Sequence, residues 1–373
     1  MSMSSGGSAE TRPVVVTHSL GSYPVYVEPG VLARLGELVA RHVPGRRLAL
    51  LTDSTVRALP SKWRLSLPGV DAELVIPPGE RSKTRARWTA LSDALLDRTF
   101  GRDSALLLLG GGVVGDLGGF VAATYLRGIP YIQIPTTLLA MLDASVGGKT
   151  AVDTPHGKNL IGAFHPPAAV VADPQVLATL PEREFRAGLA EAVKHGVIAD
   201  RAYFDWIAAQ AGQIAGRDPS TLAALVRRSV EIKAHVVSED EREAGRRAIL
   251  NAGHTIAHAL EQASGYALPH GEAVAIGLVT ECRLAESIGL ASAGTADDIA
   301  SLLNQLGLPT DPPGISPDRL FDAMASDKKN RESRIRFALP VCVGEMAPGE
   351  GWTVAVMAPA VRSVLHMRAP SKA

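Results

Sequence analysis

Four short, mainly apolar segments recur along the first half of the chain, and each ends at residues that favour a turn. They span residues 47–51, 72–76, 105–109 and 131–134. Runs of four or five residues that stop at Thr-Asp, Pro-Pro-Gly, Gly-Gly-Gly or Pro-Thr-Thr are typical of strands buried on both faces of a parallel sheet. A helical pattern over residues 80–100 separates two of these segments. This alternation of strand, loop and helix predicts an α/β domain with a parallel sheet.

The second half of the chain has a different pattern. Long Ala-rich helical stretches cover residues 182–198, 221–237, 246–264 and 271–288, and strand patterns return only at 335–338 and 352–356. These stretches predict a second, all-α domain. The predicted division of the chain is a disordered tail at residues 1–20, an α/β domain at 21–176 and an α-helical domain at 177–365.

Composition excludes several classes of function. The chain has 38 Lys plus Arg and 38 Asp plus Glu, so no net charge attracts nucleic acid or an anionic membrane. The two cysteines, Cys282 and Cys342, are too few for a disulfide framework. The most apolar segments are far shorter than the ~20 residues that a membrane helix needs. These features favour a cytoplasmic protein with a small-molecule ligand.

A glycine-rich segment follows the third predicted strand. Gly110, Gly112 and Gly115 satisfy the pattern G-x-G-x-x-G ahead of a predicted helix. Glycines there let the backbone approach a pyrophosphate, and the N-terminus of the helix supplies N–H donors to it. A tight turn that needs small residues is the alternative, and the pattern does not distinguish the two. Asp53, at the end of an earlier strand, is a candidate partner for a ribose hydroxyl.

Asp143 occupies the first position of a segment that otherwise matches a phosphate-binding P-loop. Its carboxylate would repel phosphates where backbone N–H groups have to bind them, so nucleotide hydrolysis is not predicted. Lys149 and Lys158 remain candidate anion-binding residues, with solvated surface lysines as the alternative.

Four polar residues recur at helical spacing in the second half. Arg247, Asn251, His254 and His258 are separated by four, three and four residues, so one predicted helix would carry them on one face. Such a face does not pack into an apolar core without partners, although a polar stripe facing solvent is the alternative. Imidazole nitrogens suit Zn²⁺, which would need one or two further ligands. Spacing leaves the choice open among Glu191, His258, His270 and Glu272.

Cationic residues recur around these segments. They are Arg127, Lys149, Lys158, Lys194, Lys233, Arg247, Lys328 and Lys329. In a chain without net charge, this recurrence indicates a polyanionic substrate. For the adjacent lysines 328 and 329 alone, a solvated loop is the simpler interpretation.

Several long segments, in order along the chain, resemble the sugar phosphate cyclases. They are residues 110–164, which contain GGGVVGDLGG and DASVGGKTAVD, residues 246–261 (RRAILNAGHTIAHALE), residues 269–277 (PHGEAVAIG) and residues 327–330 (DKKN). Within this superfamily the chain is most similar to the 3-dehydroquinate synthase family, from about residue 23 to residue 344. The number and order of the motifs make the resemblance specific.

The resemblance implies a dehydroquinate synthase-like fold. An N-terminal α/β, Rossmann-like domain would bind NAD, and an all-α C-terminal domain would bind the metal, Zn²⁺ or Co²⁺. The implied metal ligands are Glu191, His254 and His270. The implied NAD-binding residues are Asp53, Glu80, Lys83, Gly112, Val113, Val114, Gly115, Asp116, Thr136, Thr137, Lys149, Lys158, Val176, Leu177, Ala178 and Thr179.

The resemblance also implies which residues contact the substrate. Asp143 would lie near the metal and the reacting hydroxyls. The implied phosphate ligands are Lys149, Asn159, His258 and one of Lys328 or Lys329, with Arg127 reaching in from the neighbouring subunit of a homodimer. The substrate carboxylate would be held by Lys233 and Arg247, with Asn251 and Lys194 close by.

The implied activity is that of a phosphorus–oxygen lyase of the shikimate pathway, in aromatic amino acid biosynthesis. It converts 3-deoxy-D-arabino-heptulosonate 7-phosphate to 3-dehydroquinate and phosphate by NAD-dependent oxidation, phosphate elimination, re-reduction, ring opening and aldol cyclisation. One alternative is a cyclase of secondary metabolism that forms amino-dehydroquinate or acts on sedoheptulose 7-phosphate. The latter has no carboxylate, so Lys233, Arg247 and Asn251 argue against it, whereas an amino analogue would fit the same residues. A plain polyol dehydrogenase would need no phosphate ligands.

Overall fold

The computed structural model describes residues 12–59, 69–325 and 334–367, and it consists of two compact units. The first comprises the residues up to Val16, Ser22–Pro135 and Gly148–Gln175. The second comprises Thr17–Gly21, Thr136–Gly147 and the residues from Val176 onward. The division at residue 176 remains a prediction, and two short segments before it, 17–21 and 136–147, group with the second unit.

A seven-stranded sheet is the centre of the first unit. Among the described residues, nine strands precede the helical half of the chain, and all except β7 and β8 belong to this sheet. They are β1 (Val14–His18), β2 (Gly21–Val27), β3 (Arg47–Asp53), β4 (Val70–Ile76), β5 (Ser104–Gly110), β6 (Tyr131–Pro135), β7 (Lys149–Thr154), β8 (Gly157–Phe164) and β9 (Ala169–Ala172). The sheet order is β1-β2-β9-β6-β5-β3-β4. In this order, each strand from β2 onward is parallel to the next one in the sheet. β7 and β8 form a separate antiparallel hairpin. The predicted α/β class is confirmed.

The apolar sequence of β5 follows from its burial on both faces. The helices of this unit are α1 (Leu35–His42), α2 (Ser54–Arg57), α3 (Arg85–Asp97) and α4 (Gly112–Thr124). Leu106 and Leu108 pack in a cluster with Leu117 of α4. Leu107, between them, packs in another cluster with Leu38 of α1. Successive side chains of a strand point to opposite faces, so a strand covered on both sides needs apolar residues throughout.

The first strand corrects the predicted tail. The composition of residues 1–20 predicts disorder, but Val14–His18 forms β1 beside β2. Val14 and Val16 are buried while Val15 is exposed. The sequence VVVTH has three successive valines and no alternation of apolar and polar residues, so its periodicity does not indicate a strand with one exposed face. Residues 1–11 lie outside the described part of the chain.

The second unit is predominantly helical, which confirms the predicted class. Its helices are α5 (Glu182–Ala199), α6 (Arg201–Ala209), α7 (Ala211–Ala215), α8 (Pro219–Glu239), α9 (His254–Ala263), α10 (His270–Ser287), α11 (Thr295–Gln305), α12 (Pro317–Ala325) and α13 (Ala358–Met367). Two small antiparallel pairs join β10 (Arg334–Phe337) to β13 (Val354–Met357) and β11 (Pro340–Cys342) to β12 (Glu345–Met346). None of the described helices combines the length and the apolarity that crossing a membrane requires.

The helix predicted over residues 246–264 consists of two elements. A 3₁₀ helix spans Arg246–Asn251, and α9 begins at His254. Between them Gly253 has φ 79°, in the left-handed region that glycine adopts without strain. The prediction of one continuous helical face from Arg247 to His258 is therefore wrong.

Gly277 of α10 allows the turn at Gly253 to come close. A Cβ at Gly277 would lie 2.0 Å from the carbonyl oxygen of Gly253. We expect Gly277→Ala to lower the free energy of unfolding by about 1–3 kcal/mol, because the two backbones would have to separate. Gly212→Ala is the matched control, since nothing lies within 4 Å of its added Cβ. Urea unfolding checks both variants, and a Gly277→Ala protein as stable as wild type would contradict the close approach.

Candidate metal and nucleotide sites

Glu191, His254 and His270 converge in the second unit. Glu191 lies in α5, and the two histidines are the first residues of α9 and α10. The Nε2 atoms of His254 and His270 each lie 3.6 Å from Oε1 of Glu191. One ligand atom from each residue lies within 4.8 Å of the others. Three helices thus bring together two imidazoles and a carboxylate that are distant in sequence.

The Glu191 carboxylate is a buried anion. Its side chain is 0% exposed, and its Oε2 pairs with the ammonium of Lys194 from the next turn of α5. Burial raises the pKa of Glu191, but the Lys194 ammonium and the imidazoles of His270 and His254 overcome this and lower the pKa well below its usual value. Among the described residues, neither carboxylate oxygen accepts a hydrogen bond of regular geometry. A buried, ionised carboxylate of this kind is suited to bind a cation.

Each histidine of the cluster has an acceptor at Nδ1. Nδ1 of His254 lies 3.1 Å from the carbonyl oxygen of Ala252, and Nδ1 of His270 lies 3.3 Å from Oε2 of Glu261. Burial lowers the pKa of His254 to about 3. Burial also lowers the pKa of His270, but the Glu191 and Glu261 carboxylates overcome it and raise the pKa to about 9. Both rings can therefore carry a proton on Nδ1 and direct Nε2 towards Glu191.

This donor set fits a divalent metal ion such as Zn²⁺. Two imidazole nitrogens and one carboxylate are a known ligand set of catalytic zinc sites, in which a further position stays open. Tetrahedral Zn²⁺ with bonds of about 2.1 Å separates neighbouring ligand atoms by about 3.4 Å. The observed separations of 3.6 Å are close to that value. The two carboxylate–imidazole separations therefore fit the ion, and all three ligand atoms lie within 4.8 Å of one another.

A second network joins the partly exposed Asp143 to the buried Lys233. Asp143 lies in a π-helical turn, Ala140–Ala144, and Lys233 lies in α8. Nζ of Lys233 donates to the backbone oxygen and to Oδ1 of Asp143, both at 2.6 Å. Burial raises the pKa of Asp143, but the Lys233 and Lys194 ammonium groups lower it below its usual value. Asp143 is therefore an ionised carboxylate that accepts hydrogen bonds.

His195 is a buried residue that the sequence analysis did not identify. Its Nε2 lies 3.9 Å from Oδ1 of Asp143, and with Glu191 these residues form a second group of ligand atoms within 4.8 Å. Because Lys233 also pairs with Asp143, both carboxylates of this group have an ammonium partner, and the group is less suited to a cation than the first. Burial lowers the pKa of His195 to about 3. Only its position four residues after Glu191 could have indicated its proximity to the cluster.

Arg247 and Asn251 are fixed by acceptors from their own unit. The Arg247 guanidinium is buried, and it donates to the carbonyl oxygens of Glu241 and Gly147. Nδ2 of Asn251 donates to Oε1 of Glu243 at 2.7 Å. A buried guanidinium with a fixed orientation is well placed to recognise an anionic group.

Two residues that spacing left open as metal ligands do not join the group of three ligand atoms. Glu272 accepts two hydrogen bonds from the exposed Arg183, at 2.6 and 3.1 Å. His258 is exposed, and its ring centroid lies 5.5 Å from that of His254. Neither residue belongs to a group of three ligand atoms among the described residues.

The glycine-rich segment of the first unit lies between a strand and a helix. β5 ends at Gly110, and α4 begins at Gly112, so residues 112–116 form the first turn of the helix. A Cβ at Gly118 would lie 2.4 Å from Leu108, which shows how closely α4 packs on the sheet. Strand, glycine turn and helix N-terminus together form an arrangement that binds pyrophosphates.

Lys83 links three segments of the first unit. Its Nζ donates to Oδ2 of Asp116 at 2.6 Å and to Oδ1 of Asn159 at 2.5 Å, and it lies 3.7 Å from Glu80. Burial lowers the pKa of Lys83, but the Asp116 and Glu80 carboxylates raise it above its usual value. The N–H of Asn159 donates to Oδ1 of Asp153. Lys83 therefore joins the first turn of α4 to the β7–β8 hairpin.

The other expected cofactor and phosphate ligands are distributed over both units. Asp53 ends β3, where its Oδ1 accepts hydrogen bonds from the N–H groups of Thr55 and Val56 and caps α2. In the first unit, Lys149 begins β7, Lys158 lies in β8 and Arg127 ends a 3₁₀ turn. The second unit contains Thr136, Thr137, Val176, Leu177, Ala178 and Thr179. Lys328 and Lys329 lie outside the described residues.

Solved structures of sugar phosphate cyclases share this fold. One is 2-deoxy-scyllo-inosose synthase complexed with carbaglucose-6-phosphate, NAD⁺ and Co²⁺, with a TM-score of 0.87, 26% identity and coverage of 95% of this chain and 100% of that one. Another is 2-epi-5-epi-valiolone synthase from Streptomyces hygroscopicus subsp. jinggangensis with NAD⁺ and Zn²⁺ bound (TM-score 0.82, 31% identity, 93% and 96% coverage). The fold and the Glu-His-His cluster define a protein of the dehydroquinate synthase-like class.

Sequence comparisons identify the family within this class. Models of the 3-dehydroquinate synthase N-terminal and C-terminal regions match residues 73–187 and 188–330. The 3-dehydroquinate synthases of Halorhodospira halophila and Nitrosomonas europaea are 48% and 46% identical to this chain. Both matches cover 88% of this chain, and they cover 94% and 90% of the relatives. The chain belongs to the 3-dehydroquinate synthase family.

Proposed function

We propose that this protein converts 3-deoxy-D-arabino-heptulosonate 7-phosphate to 3-dehydroquinate and phosphate. The observation that carries the proposal is the cluster of the buried Glu191 with the partly exposed His254 and His270 in a chain of this family. Relatives named 3-dehydroquinate synthase, at 46–48% identity over most of the chain, support the same activity. The protein is then a phosphorus–oxygen lyase of the shikimate pathway.

Glu191, His254 and His270 are the proposed ligands of a divalent cation, Zn²⁺ or Co²⁺, and the first unit is the proposed NAD-binding domain. Two related cyclases whose structures contain NAD⁺ with Co²⁺ or Zn²⁺ support this inference. Once bound, these groups would supply a Lewis acid that lowers the pKa of a substrate hydroxyl and a nicotinamide that accepts and returns a hydride. The proposed NAD ligands are Asp53, Glu80, Lys83, residues 112–116, Thr136, Thr137, Lys149, Lys158 and residues 176–179.

The buried charges of the second unit suit a hydroxylated, carboxylated substrate. Asp143 is ionised, so it can accept a hydrogen bond from a reacting hydroxyl and hold that hydroxyl in a fixed direction. The substrate carboxylate is proposed to contact Lys233 and Arg247, beside Asn251 and Lys194. The Lys233 ammonium and the Arg247 guanidinium are both buried. A carboxylate bound beside them would offset the free-energy cost of removing these charges from water. The proposed phosphate ligands are Lys149, Asn159, His258, one of Lys328 or Lys329, and Arg127 of a neighbouring subunit.

We further propose that the protein acts as a cytoplasmic homodimer. Strand β8 exposes Leu160, Ile161 and Phe164, and a second copy would cover apolar side chains of this kind. Sedimentation of the purified protein tests this proposal, and a monomer at micromolar concentration would contradict it.

Phosphate release from 3-deoxy-D-arabino-heptulosonate 7-phosphate tests the main proposal. Metal-loaded protein with catalytic NAD should release phosphate and form 3-dehydroquinate together, which a coupled dehydratase detects, without accumulation of NADH. Net NADH formation would instead indicate a polyol dehydrogenase. Turnover of sedoheptulose 7-phosphate but not of the carboxylated substrate would move the protein to the cyclases of secondary metabolism, and the proposed roles of Lys233 and Arg247 would then be wrong.

Replacing Lys83 should weaken NAD binding. Lys83→Met removes the ammonium that holds Asp116 and Asn159, so the first turn of α4 loses its connection to the hairpin. We expect the Kd for NAD, measured by calorimetric titration, to rise about 10–100-fold, the equivalent of about 1.4–2.8 kcal/mol. Arg81→Met is the control, because Arg81 is exposed in the short 3₁₀ helix Glu80–Ser82 that directly precedes Lys83. Equal NAD affinities of the Lys83→Met and Arg81→Met proteins would exclude this role.

A further inference from the structure

Glu281 is a buried acid outside the three-residue cluster. It lies in α10, eleven residues after His270, and it is 1% exposed. Its Oε2 accepts a hydrogen bond from the N–H of Gly253 at 2.7 Å, and its Oε1 accepts one from the N–H of Ile256 at 3.0 Å. The carboxylate therefore binds the backbone at the start of α9, the helix whose first residue is His254.

The contact depends on the close approach of the two helices. Gly277, one turn before Glu281 on α10, leaves no side chain between α10 and the turn at Gly253. The first N–H groups of a helix have no partner within the helix, and they carry partial positive charge. Burial raises the pKa of Glu281 to about 8, and hydrogen bonds from Ile256 and Gly253 oppose the shift. Both oxygens accept hydrogen bonds from N–H groups, and the ionised form of the carboxyl group is the stronger acceptor.

One peptide group connects Glu281 to His254. The N–H of Gly253 and the carbonyl of Ala252 belong to the same planar peptide, in which they point in opposite directions. Glu281 accepts from the N–H side, and the carbonyl side faces Nδ1 of His254 at 3.1 Å. Hydrogen bonds arranged in series polarise one another, so the carboxylate strengthens the carbonyl as an acceptor. The proton of His254 is then held on Nδ1, and Nε2 remains directed towards Glu191.

We propose that Glu281 is a positioning residue of the metal site, which acts on His254 through the peptide between Ala252 and Gly253. The inference rests on the proposed function only in that His254 is taken as a metal ligand. His270 has a direct carboxylate contact, from Glu261. Both imidazoles of the cluster are thus supported by a buried carboxylate, one directly and one through the backbone. Groups that orient a metal-binding histidine in this way raise its basicity and its affinity for the metal.

Cobalt titration of the metal-free protein tests the proposal. Co²⁺ affinity and the visible absorption of the bound ion are measured for wild type, Glu281→Gln, Glu281→Ala and Thr280→Val. Thr280 is the matched control, because it is buried in the same helix and its hydroxyl donates to the carbonyl of Ile276 in α10. We expect Glu281→Ala to weaken Co²⁺ binding about 10–100-fold and to change the absorption spectrum. Glu281→Gln keeps one acceptor, so its Co²⁺ affinity should lie between those of wild type and Glu281→Ala. Thr280→Val should bind Co²⁺ as tightly as wild type.

The outcomes separate this inference from the proposed function. Co²⁺ affinity and spectrum equal to wild type in Glu281→Gln and Glu281→Ala would overturn it, even if both variants unfold more easily. If Glu281→Ala does not fold, Glu281→Gln decides, because it preserves the size of the side chain. Two results would overturn the proposed metal site and this inference with it. One is a wild-type protein that binds no Co²⁺, and the other is a Glu191→Gln protein that binds Co²⁺ as tightly as wild type. Normal cobalt binding without synthase turnover would overturn the proposed activity and leave the role of Glu281 intact.

Discussion

Glu191→Gln is expected to abolish tight binding of a divalent cation and to lower kcat/KM about 10³-fold, which corresponds to about 4 kcal/mol. Glutamine preserves the size of the side chain but removes the charge that faces both Nε2 atoms of the cluster. It also leaves the buried Lys194 ammonium without the carboxylate that it pairs with in α5. Metal content after gel filtration, together with the rate of phosphate release, measures the two losses.

Glu272→Gln is the matched control for this experiment. Glu272 was an equally acceptable ligand by spacing, but the structure pairs it with the exposed Arg183. An exposed ion pair contributes about 0.2–1 kcal/mol, so this variant should keep its metal and its activity. Loss of metal from Glu272→Gln with retention in Glu191→Gln would reverse the assignment.

The fold class could be predicted because its signals are local. β5 is apolar at successive positions and ends at glycines, and this combination indicates a strand that is covered on both faces. The helical half could be predicted in the same way, since its long Ala-rich stretches correspond to α5, α8 and α10. The strand at Val14–His18 could not, because its sequence VVVTH does not alternate between apolar and polar residues.

The arrangement of the candidate site depended on contacts that spacing does not report. Spacing indicated His254 and left the remaining ligands open, because the proximity of Glu191 and His270 depends on how α5, α9 and α10 pack. It also predicted one helix through residue 253, where the backbone is left-handed. Helical spacing relates only residues that are three or four positions apart in the sequence. It therefore does not predict a contact such as that of Glu281, a carboxylate of α10 that accepts a hydrogen bond at the start of α9. The resemblance to a known family supplied the ligand set that spacing could not choose.

Lys194→Met is expected to destabilise the metal-free protein far more than the metal-loaded protein. Lys194 is 1% exposed, and its ammonium pairs with Oε2 of Glu191, whereas His270 faces Oε1. Without it, a fully buried carboxylate loses its ion-pair partner, a change that costs about 3–5 kcal/mol of unfolding free energy. A bound divalent cation supplies positive charge at the same carboxylate, so most of the loss should be recovered when Zn²⁺ is present. Urea unfolding in EDTA and in excess Zn²⁺ measures the difference.

Arg186→Met distinguishes this effect from the general loss of an ion pair on α5. Nε of Arg186 lies 2.7 Å from Glu182 on the same helix, but both side chains are about half exposed. We expect this variant to lose about 0.3–0.5 kcal/mol, with and without metal, because solvent screens the pair. If Lys194→Met lost equal stability in EDTA and in Zn²⁺, the ammonium and the metal would not be acting on the same carboxylate. The recovery by Zn²⁺ is therefore a test of where the metal binds that requires no turnover.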